Sequence, residues 1–333
     1  MSVTASACTG SQTGLESMAT GILFAVVACC LWALAFVAPI VLEGTGPVLV
    51  AFGRYGAFGL ISLALVPLFR RGTFMLSRRD WGRAALLSTV GNLAYYILLA
   101  SAIQLIDIPG PTAIIGLLPL TIPILANWRH RELPWRALIA PVVVIALGLI
   151  LVNAHEYQRL ASVGRGLLVY AAGLGLAIMA LACWTWYGVA NALWLQSRPH
   201  INAGAWTIAQ GVTLLPLVGF GFAAGANSNS FGPAMVHLAD TANLPRFLVV
   251  SVIVGLASSW LATLCWSHAS RLLPITLTGQ LIVFETVAAV SYGHIYQGRE
   301  PSAATLLGVV LLCSGVALGV RTVSMCRATL PTA

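Results

Sequence analysis

The sequence predicts an all-α membrane protein of ten transmembrane helices, arranged as two inverted repeats of five helices each. Hydrophobic residues make up 59% of the 333-residue chain and charged residues only 8%, unlike the composition of a soluble domain. The charges lie in short clusters between apolar blocks of roughly 20 residues, long enough to cross a ~30 Å hydrocarbon core. A shift of 167 residues also aligns the first half of the chain with the second. These three observations together predict the fold class.

Ten apolar blocks are predicted to form the helices in chain order. They fall near residues 19–41, 47–69, 82–104, 109–127, 135–153, 166–195, 203–224, 246–267, 272–296 and 303–323. Residues 1–18 are predicted to be a polar N-terminal tail, and residues 324–333 a C-terminal tail. The opening has no Lys or Arg, so the first block lacks the basic region of a cleavable signal peptide and is expected to be retained.

The basic residues are all arginines, and their positions predict the topology. With the N-terminus inside, twelve arginines lie in cytoplasmic segments and four in outside segments, as the positive-inside rule favours. The inside set is Arg70, Arg71, Arg78, Arg79, Arg83, Arg129, Arg131, Arg136, Arg198, Arg271, Arg321 and Arg327, and the outside set is Arg159, Arg165, Arg246 and Arg299. Both termini are therefore predicted to be cytoplasmic. This placement explains the net charge of +8 without a nucleic-acid partner.

An internal repeat divides the chain at a linker. The first repeat is predicted over residues 19–153, the linker over 154–165 and the second repeat over 166–323. At the shift of 167 residues, Gly148 coincides with Gly315. Five helices is an odd number, so the second repeat enters the membrane upside down. Inverted repeats recur in alternating-access transporters, which bind substrate between the repeats near the midplane.

Several longer strings carry a family resemblance. Trp32 in "CCLWALAFV", the Arg-Glu pairs at 131–132 and 299–300 and the five-plus-five plan resemble the EamA-type drug/metabolite transporter superfamily. Within it, "IIGLLPLTIPILAN", "CWTWYGVANALWL" and "CWSHASRLLPITLTGQLIVFETVA" resemble the YtfF-type inner-membrane proteins. The resemblance runs from about residue 20 to residue 325.

The resemblance implies a carrier of the bacterial inner membrane. This carrier would have the EamA fold and would export small metabolites. The resemblance also implies a small-molecule substrate and the lipid bilayer as partners; protons are a candidate coupling ion because of Glu285, discussed below. One position departs from the family pattern: many of its members have a proline after the acid of the ninth helix, where this chain has Thr286 after Glu285. No kink is therefore expected there, although the first repeat keeps Pro119 and Pro123.

Glu285 is the candidate residue that most needs an explanation. A carboxylate in the middle of a membrane helix costs at least ~2.5 kcal/mol, so it requires a partner, a wet cavity or a function. It could couple transport to protons or contact substrate, it could pair with Arg54, or it could be a neutral, hydrogen-bonded acid. The sequence leaves these three interpretations open.

Other candidate pathway residues are polar or aromatic side chains at helical spacing. They are predicted on the first, third, sixth, eighth and ninth helices: Trp32, Asn92, Tyr95, Tyr96, Trp184, Tyr187, Asn191, Trp266 and Tyr292. Such groups could bind a small zwitterion or a lipophilic ligand. Buried polar side chains also commonly join helices to one another, so a packing role is the alternative for each of them.

Two classes of function are open: a secondary transporter, and a membrane-embedded protein without transport, such as an enzyme or a sensor. Within transport, export of amino-acid-like metabolites by alternating access is favoured, and its rival is efflux of lipophilic or cationic drugs through Glu285. A membrane-embedded enzyme is disfavoured because the chain has neither a nucleophile elbow nor a zinc-protease helix motif. The six histidines show no metal-ligand spacing, and the "GLG" at 173 lacks the rest of a dinucleotide fingerprint, so no cofactor is predicted.

Overall fold

The computed structural model describes residues 3–36, 38–42, 44–106, 109–153, 167–227, 238, 243–298 and 300–329. Every regular element within these residues is helical. The predicted linker, with Arg159 and Arg165, lies outside the described residues, as does Arg299.

Among the described residues, the ten main helices are numbered α1 to α10 in chain order. In the first half, α1 is Val3–Ala33, α2 is Pro47–Leu65 and α5 is Trp135–Val152. Helix α3 has three consecutive parts, which are Arg78–Ser88, the π-helical segment Thr89–Ala94, and Tyr95–Ile106. Helix α4 has two parts, Pro109–Ile115 and Leu118–His130. In the second half, α6 is Leu167–Gln196, α7 is Ala203–Asn227 and α10 is Ala303–Thr329. Helix α8 has three consecutive parts, which are Asn243–Val254, the π-helical segment Gly255–Leu261, and Ala262–Leu272. Helix α9 has two parts, Ile275–Leu281 and Val283–Gln297. Shorter helices are Leu34–Phe36, Ala38–Val41 and Arg70–Phe74.

Eight segments are long and apolar enough to cross a membrane. They are Val48–Leu65, Arg78–Ile103, Trp135–Val152, Leu168–Gln196, Ala203–Gly225, Asn243–Leu272, Ile275–Tyr292 and Ala303–Cys326. The apolar part of α1, Ser17–Ala33, is shorter, and α4 is interrupted after Ile115. The predicted all-α membrane class is confirmed, and this criterion finds eight of the ten predicted spans.

The ends of α1 differ from the prediction. The helix begins at Val3 rather than near residue 19, so most of the segment predicted as a polar tail is helical. No proline stands between residues 3 and 18, and extending a helix that has already formed is favourable compared with nucleating a new one. The helix ends at Ala33 rather than near residue 41, six residues before Pro39. At the other terminus α10 continues to Thr329, through part of the predicted C-terminal tail.

Thr286 lies within the continuous stretch Val283–Gln297 of α9, so no interruption is found at the position where many family members have a proline. The helix is interrupted at Ile282, three residues before Glu285. The amide of Ile282 donates to the carbonyl of Gly279 and the amide of Glu285 donates to that of Ile282, which are tight i→i−3 bonds. A Cβ on Gly279 would lie 2.7 Å from a side-chain atom of Ile122 in α4. The interruption at Ile282 therefore lies beside a close contact with α4.

Irregular features recur at matching places in the two halves. Arg131 and Gly298 end α4 and α9 in the left-handed conformation, with φ of 47° and 62°, and they are 167 residues apart. The π-helical segments interrupt α3 and α8, and breaks interrupt α4 and α9. The shift that aligns the sequence halves therefore also aligns these departures from regular helix.

Helix packing joins the two halves closely. The most extensive contacts are α5 with α10, α2 with α7, α3 with α6, α1 with α8, and α4 with α9. Each of these pairs takes one helix from before residue 153 and one from residue 167 onward. Where α5 crosses α10, a Cβ on Gly148 would lie 2.9 Å from the carbonyl oxygen of Gly308. Only a glycine permits so close an approach of the two backbones.

Four connections meet at one end of the bundle, here called the arginine-rich end: residues 66–77, 131–134, 197–202 and 273–274. Arg198 forms an ion pair with Asp80 at 3.3 Å. The side-chain amide of Gln196 donates to the carbonyls of Ser270 and Leu273, at 2.9 and 3.0 Å. These contacts link the ends of α3, α6 and α8.

Candidate functional site

Arg54 is held by the π-helical segment of α8. A Cβ on Gly255 would lie 2.6 Å from that of Ala57, so α2 and α8 cross closely. The guanidinium donates from Nε to the hydroxyl of Ser259 at 2.9 Å and from Nη2 to the carbonyl of Ser258 at 3.0 Å. Wide turns of this kind are frequent at functional sites. Two contacts from one turn fix the orientation of the guanidinium.

Two tyrosines surround the same guanidinium. Its central carbon lies 5.3 Å from the ring centroid of Tyr55 and 5.9 Å from that of Tyr96, within range of cation–π attraction. The two rings meet edge to face at 6.1 Å. Tyr96 was predicted as a pathway residue, whereas Tyr55 was not. Its position directly after Arg54 was the available sequence cue.

Glu285 lies in the first turn after the break in α9 and is partly buried. It is within electrostatic range of Arg54 and of Tyr95. The two charges are not within the 4.0 Å of an ion pair, and in the described part of the chain the carboxylate accepts no side-chain hydrogen bond. The direct pair is therefore not formed in this structure, and the carboxylate is available to a ligand.

An aromatic cluster of Trp32, Trp184, Tyr187 and Trp266 lies beside these charges. Trp32 contacts Trp184 at 5.4 Å and Trp266 at 5.1 Å between ring centroids. Trp184 contacts Trp266 at 5.8 Å and Tyr187 at 5.7 Å. Trp266 is almost fully buried, and its indole N–H has no acceptor among the described residues. The cluster thus combines apolar surface with an unused donor.

Contacts from α1 bring the charged and aromatic groups together. The hydroxyl of Ser258 donates to the carbonyl of Leu31, next to Trp32, at 2.6 Å. Tyr292 of α9 donates to the carbonyl of Cys30 at 3.4 Å. Tyr95 packs against the same core cluster as Trp32. The name central site is used below for Arg54, Glu285, Tyr55, Tyr95, Tyr96 and the aromatic cluster.

The predicted stripe on the sixth helix divides between two surroundings. Asn191 is fully buried and faces α7, where its side-chain oxygen accepts from the indole of Trp206 at 2.9 Å. Gln210 accepts from the hydroxyl of Tyr187 at 3.1 Å. Asn191 therefore joins helices, whereas Trp184 lies in the aromatic cluster. Gln210 of α7 was not among the predicted residues.

Asn92 lies within the π-helical segment of α3. Its side-chain nitrogen is buried and has no acceptor in the part of the chain that the structure describes. A buried donor without a partner costs about 1–3 kcal/mol, so a polar ligand or water near Asn92 would relieve a penalty.

The helical membrane fold agrees with what the comparisons with known proteins show: the chain belongs to the EamA-like transporter family, whose pattern matches residues 19–154. The resemblance predicted from sequence is confirmed. The chain is 36% identical over 322 residues to Inner membrane protein YtfF of Escherichia coli (strain K12), a match that covers 91% of this chain and 96% of that protein. A solved crystal structure shares the fold with a TM-score of 0.69 and 15% identity, over 94% of this chain and 99% of that one. Family membership points to a transporter rather than an enzyme.

Proposed function

We propose that this protein is an inner-membrane secondary transporter that exports small amino-acid-like metabolites by alternating access. One observation carries the proposal: Arg54 and Glu285 lie within electrostatic range of each other, both partly exposed, without forming a direct pair. An α-amino acid presents a carboxylate and an ammonium group a short distance apart. It can bind both charges at once and complete the network that they leave open.

Arg54 is proposed to bind the substrate carboxylate. A guanidinium has five N–H donors, and the contacts to Ser258 and Ser259 occupy two of its nitrogens. The remaining donors suit a carboxylate, which arginine binds with charge-assisted hydrogen bonds. The rings of Tyr55 and Tyr96 keep the guanidinium in place while substrate enters and leaves.

Glu285 is proposed to bind either the substrate ammonium or a proton. A single carboxylate cannot hold both, so a proton and a substrate would exclude each other there. Exclusive binding at one site couples the two as an exchange across the membrane, provided that the carrier switches sides only with one of them bound. Export of the metabolite would then use the inward proton gradient.

The aromatic cluster is proposed to bind the substrate side chain. The three tryptophans are buried in this structure, so the substrate side chain is proposed to meet them in a state of the transport cycle that exposes them; among the described residues the N–H of Trp266 has no acceptor. Small metabolites with an apolar or aromatic group fit such a surface better than highly polar ones do.

Alternating access is proposed to arise from two inverted five-helix repeats, with α1 and α4 completing ten spans. The matched left-handed ends at Arg131 and Gly298, the matched π-helical segments and the pairing of helices between the halves support this arrangement. The arginine-rich end, proposed to be cytoplasmic, is tied by Asp80 to Arg198. Opening that end would require this contact to break.

A second candidate is efflux of lipophilic cations. Phe284, next to Glu285, packs against the core cluster that contains the tryptophans of the aromatic cluster, and the faces of such rings attract desolvated cations. A cationic dye would need Glu285 but not Arg54.

The test is uptake into inside-out vesicles that contain the protein. The panel pairs each amino acid with its N-acetyl derivative, which lacks the ammonium, and its methyl ester, which lacks the carboxylate; cationic dyes complete it. The proposal expects both blocked forms to be transported at least about tenfold more slowly than the zwitterion. Faster transport of dyes than of any zwitterion supports the second candidate. No transport of any compound, with or without a proton gradient, contradicts both.

A further inference from the structure

A basic cavity at the arginine-rich end lies outside the central site. It has a volume of about 430 Å³ and is lined by Pro67, Leu68, Phe69, Arg70, Arg71, Gly72 and Asn202. The first six residues form the connection between α2 and α3, and Asn202 directly precedes α7. The volume falls within the ~300–1,000 Å³ of small-molecule sites.

The walls of this cavity are fixed by contacts with the start of α7. The ring of Phe69 lies against Gly204, where an added Cβ would force the ring to move, and Gly72 lies against Ala205. The side-chain oxygen of Asn202 accepts from the amides of Gly204 and Ala205, at 2.8 and 3.3 Å. Because the oxygen of Asn202 caps α7, its NH₂ group remains as the donor.

The charge of the cavity is positive and uncompensated. Arg70 and Arg71 are both exposed, and neither forms a side-chain hydrogen bond or ion pair with any described residue. Asp80 lies in the first turn of α3, just after this connection. Its carboxylate is already bound by Arg198 and accepts from the amide and the hydroxyl of Ser77. A bound anion would therefore meet two guanidinium groups without a competing carboxylate.

Large apolar side chains flank the arginines and are also exposed. Leu68 is 75% exposed, Phe74 80% and Met75 73%. Basic residues combined with exposed apolar residues at the end of a membrane helix are typical of contact with the lipid headgroup region. A soluble anion would use the arginines but would have no need of these apolar neighbours.

We propose that this cavity binds the phosphate of an anionic phospholipid headgroup. Arg70 and Arg71 hold the phosphate, the NH₂ group of Asn202 donates to it or to the headgroup glycerol, and an acyl chain lies along Leu68. The site is independent of the transported substrate, so it can be tested whether or not the proposed function holds.

The experiment measures lipid binding to the purified full-length protein by native mass spectrometry. The probes are phosphatidylglycerol, phosphatidylcholine with the same acyl chains, and glycerol phosphate without acyl chains. The double variant Arg70→Gln/Arg71→Gln removes the two charges in the cavity. Arg78→Gln/Arg79→Gln is the matched control, because these two arginines are exposed at the start of α3 and do not line the cavity.

Saturable binding of phosphatidylglycerol is expected, with phosphatidylcholine at least about tenfold weaker. The first double variant should weaken phosphatidylglycerol binding by about tenfold, and the control by less than about twofold. An equal loss in the two variants would mean general attraction to surface charge and overturn the site. Glycerol phosphate that binds as tightly as the lipid would make it a site for soluble phosphates, which also contradicts the proposal.

Discussion

Thr276 and Glu132 are joined by a hydrogen bond of 2.8 Å from the backbone amide of Thr276 to the carboxylate, although 144 residues separate them. The amide of Ile275 donates to the second carboxylate oxygen at 3.0 Å. These are the first two residues of α9, and Pro274 before them provides no side-chain cap. Glu132 from the connection between α4 and α5 thus caps the helix that carries Glu285. Glu132 is the acid of the first Arg-Glu pair, at 131–132.

Replacement of Glu132 by Ala should destabilise the protein by about 1–2 kcal/mol, because two amides at the helix start lose their acceptor. The amide of Glu132→Gln can still accept one hydrogen bond but loses the favourable interaction of a negative charge with the helix N-terminus, so an intermediate effect is expected. Thermal unfolding in detergent measures both. Glu300→Ala, at the exposed acid of the second Arg-Glu pair, is the control. An equal loss for Glu300→Ala would show that the cap at α9 contributes nothing specific.

Arg54→Lys should raise the KM for zwitterionic substrates by at least about tenfold while the protein still folds. An ammonium keeps the charge but cannot contact Ser258 and Ser259 and bind a carboxylate with the same fixed geometry. Ser259→Ala should raise the KM less, since the contact to the Ser258 carbonyl remains. The double variant should show less than the sum of the two effects, because both changes act on one guanidinium. Additive effects would separate Ser259 from the role of Arg54.

Glu285→Gln should fold normally and lose the pH dependence of transport, because the amide preserves the shape of the side chain but cannot ionise. Folding should be preserved because, within the described part of the chain, the carboxylate has no ion-pair partner within 4.0 Å to leave behind. Initial rates across a range of pH, with expression measured in parallel, test this. An unchanged pH profile would remove Glu285 from the coupling step.

Asn191→Ala should lower stability by about 1–3 kcal/mol and leave the KM unchanged, because the buried indole N–H of Trp206 loses its acceptor. Trp184→Phe, seven residues earlier on the same helix, should instead alter the KM because it lies in the aromatic cluster. Unfolding temperature and transport kinetics, measured on both variants, distinguish packing from substrate contact. A changed KM in Asn191→Ala at normal stability would return that residue to the pathway.

The predicted topology requires reporters on both sides of the membrane. A cytoplasmic reporter should be active when fused at residue 75 or at the C-terminus, and a periplasmic reporter at residue 230. The arginines at the arginine-rich end provide the reason. A C-terminus outside the cell would contradict the arrangement.

Local patterns predicted some features well and long-range contacts poorly. Hydrophobic length alone predicted α5 at 135–153, and the helix is Trp135–Val152. Helical spacing placed Asn191 on one face with Trp184, but neighbouring helices meet that face at different heights and give the two residues different partners. The contact of Arg54 with Ser259 depends on a crossing of α2 and α8 that local periodicity does not encode. The same holds for Glu132 and Thr276, which meet only after the chain has folded.

The five most extensive helix contacts each join one helix of the first half to one helix of the second, so each half depends on the other during folding. Among the described residues, most contacts between helices join the two halves rather than helices of the same half. The two halves are therefore not expected to be autonomous domains. Neither is expected to persist alone in the bilayer, and the whole bundle should assemble late, when the last helix leaves the insertion machinery and pairs with α5.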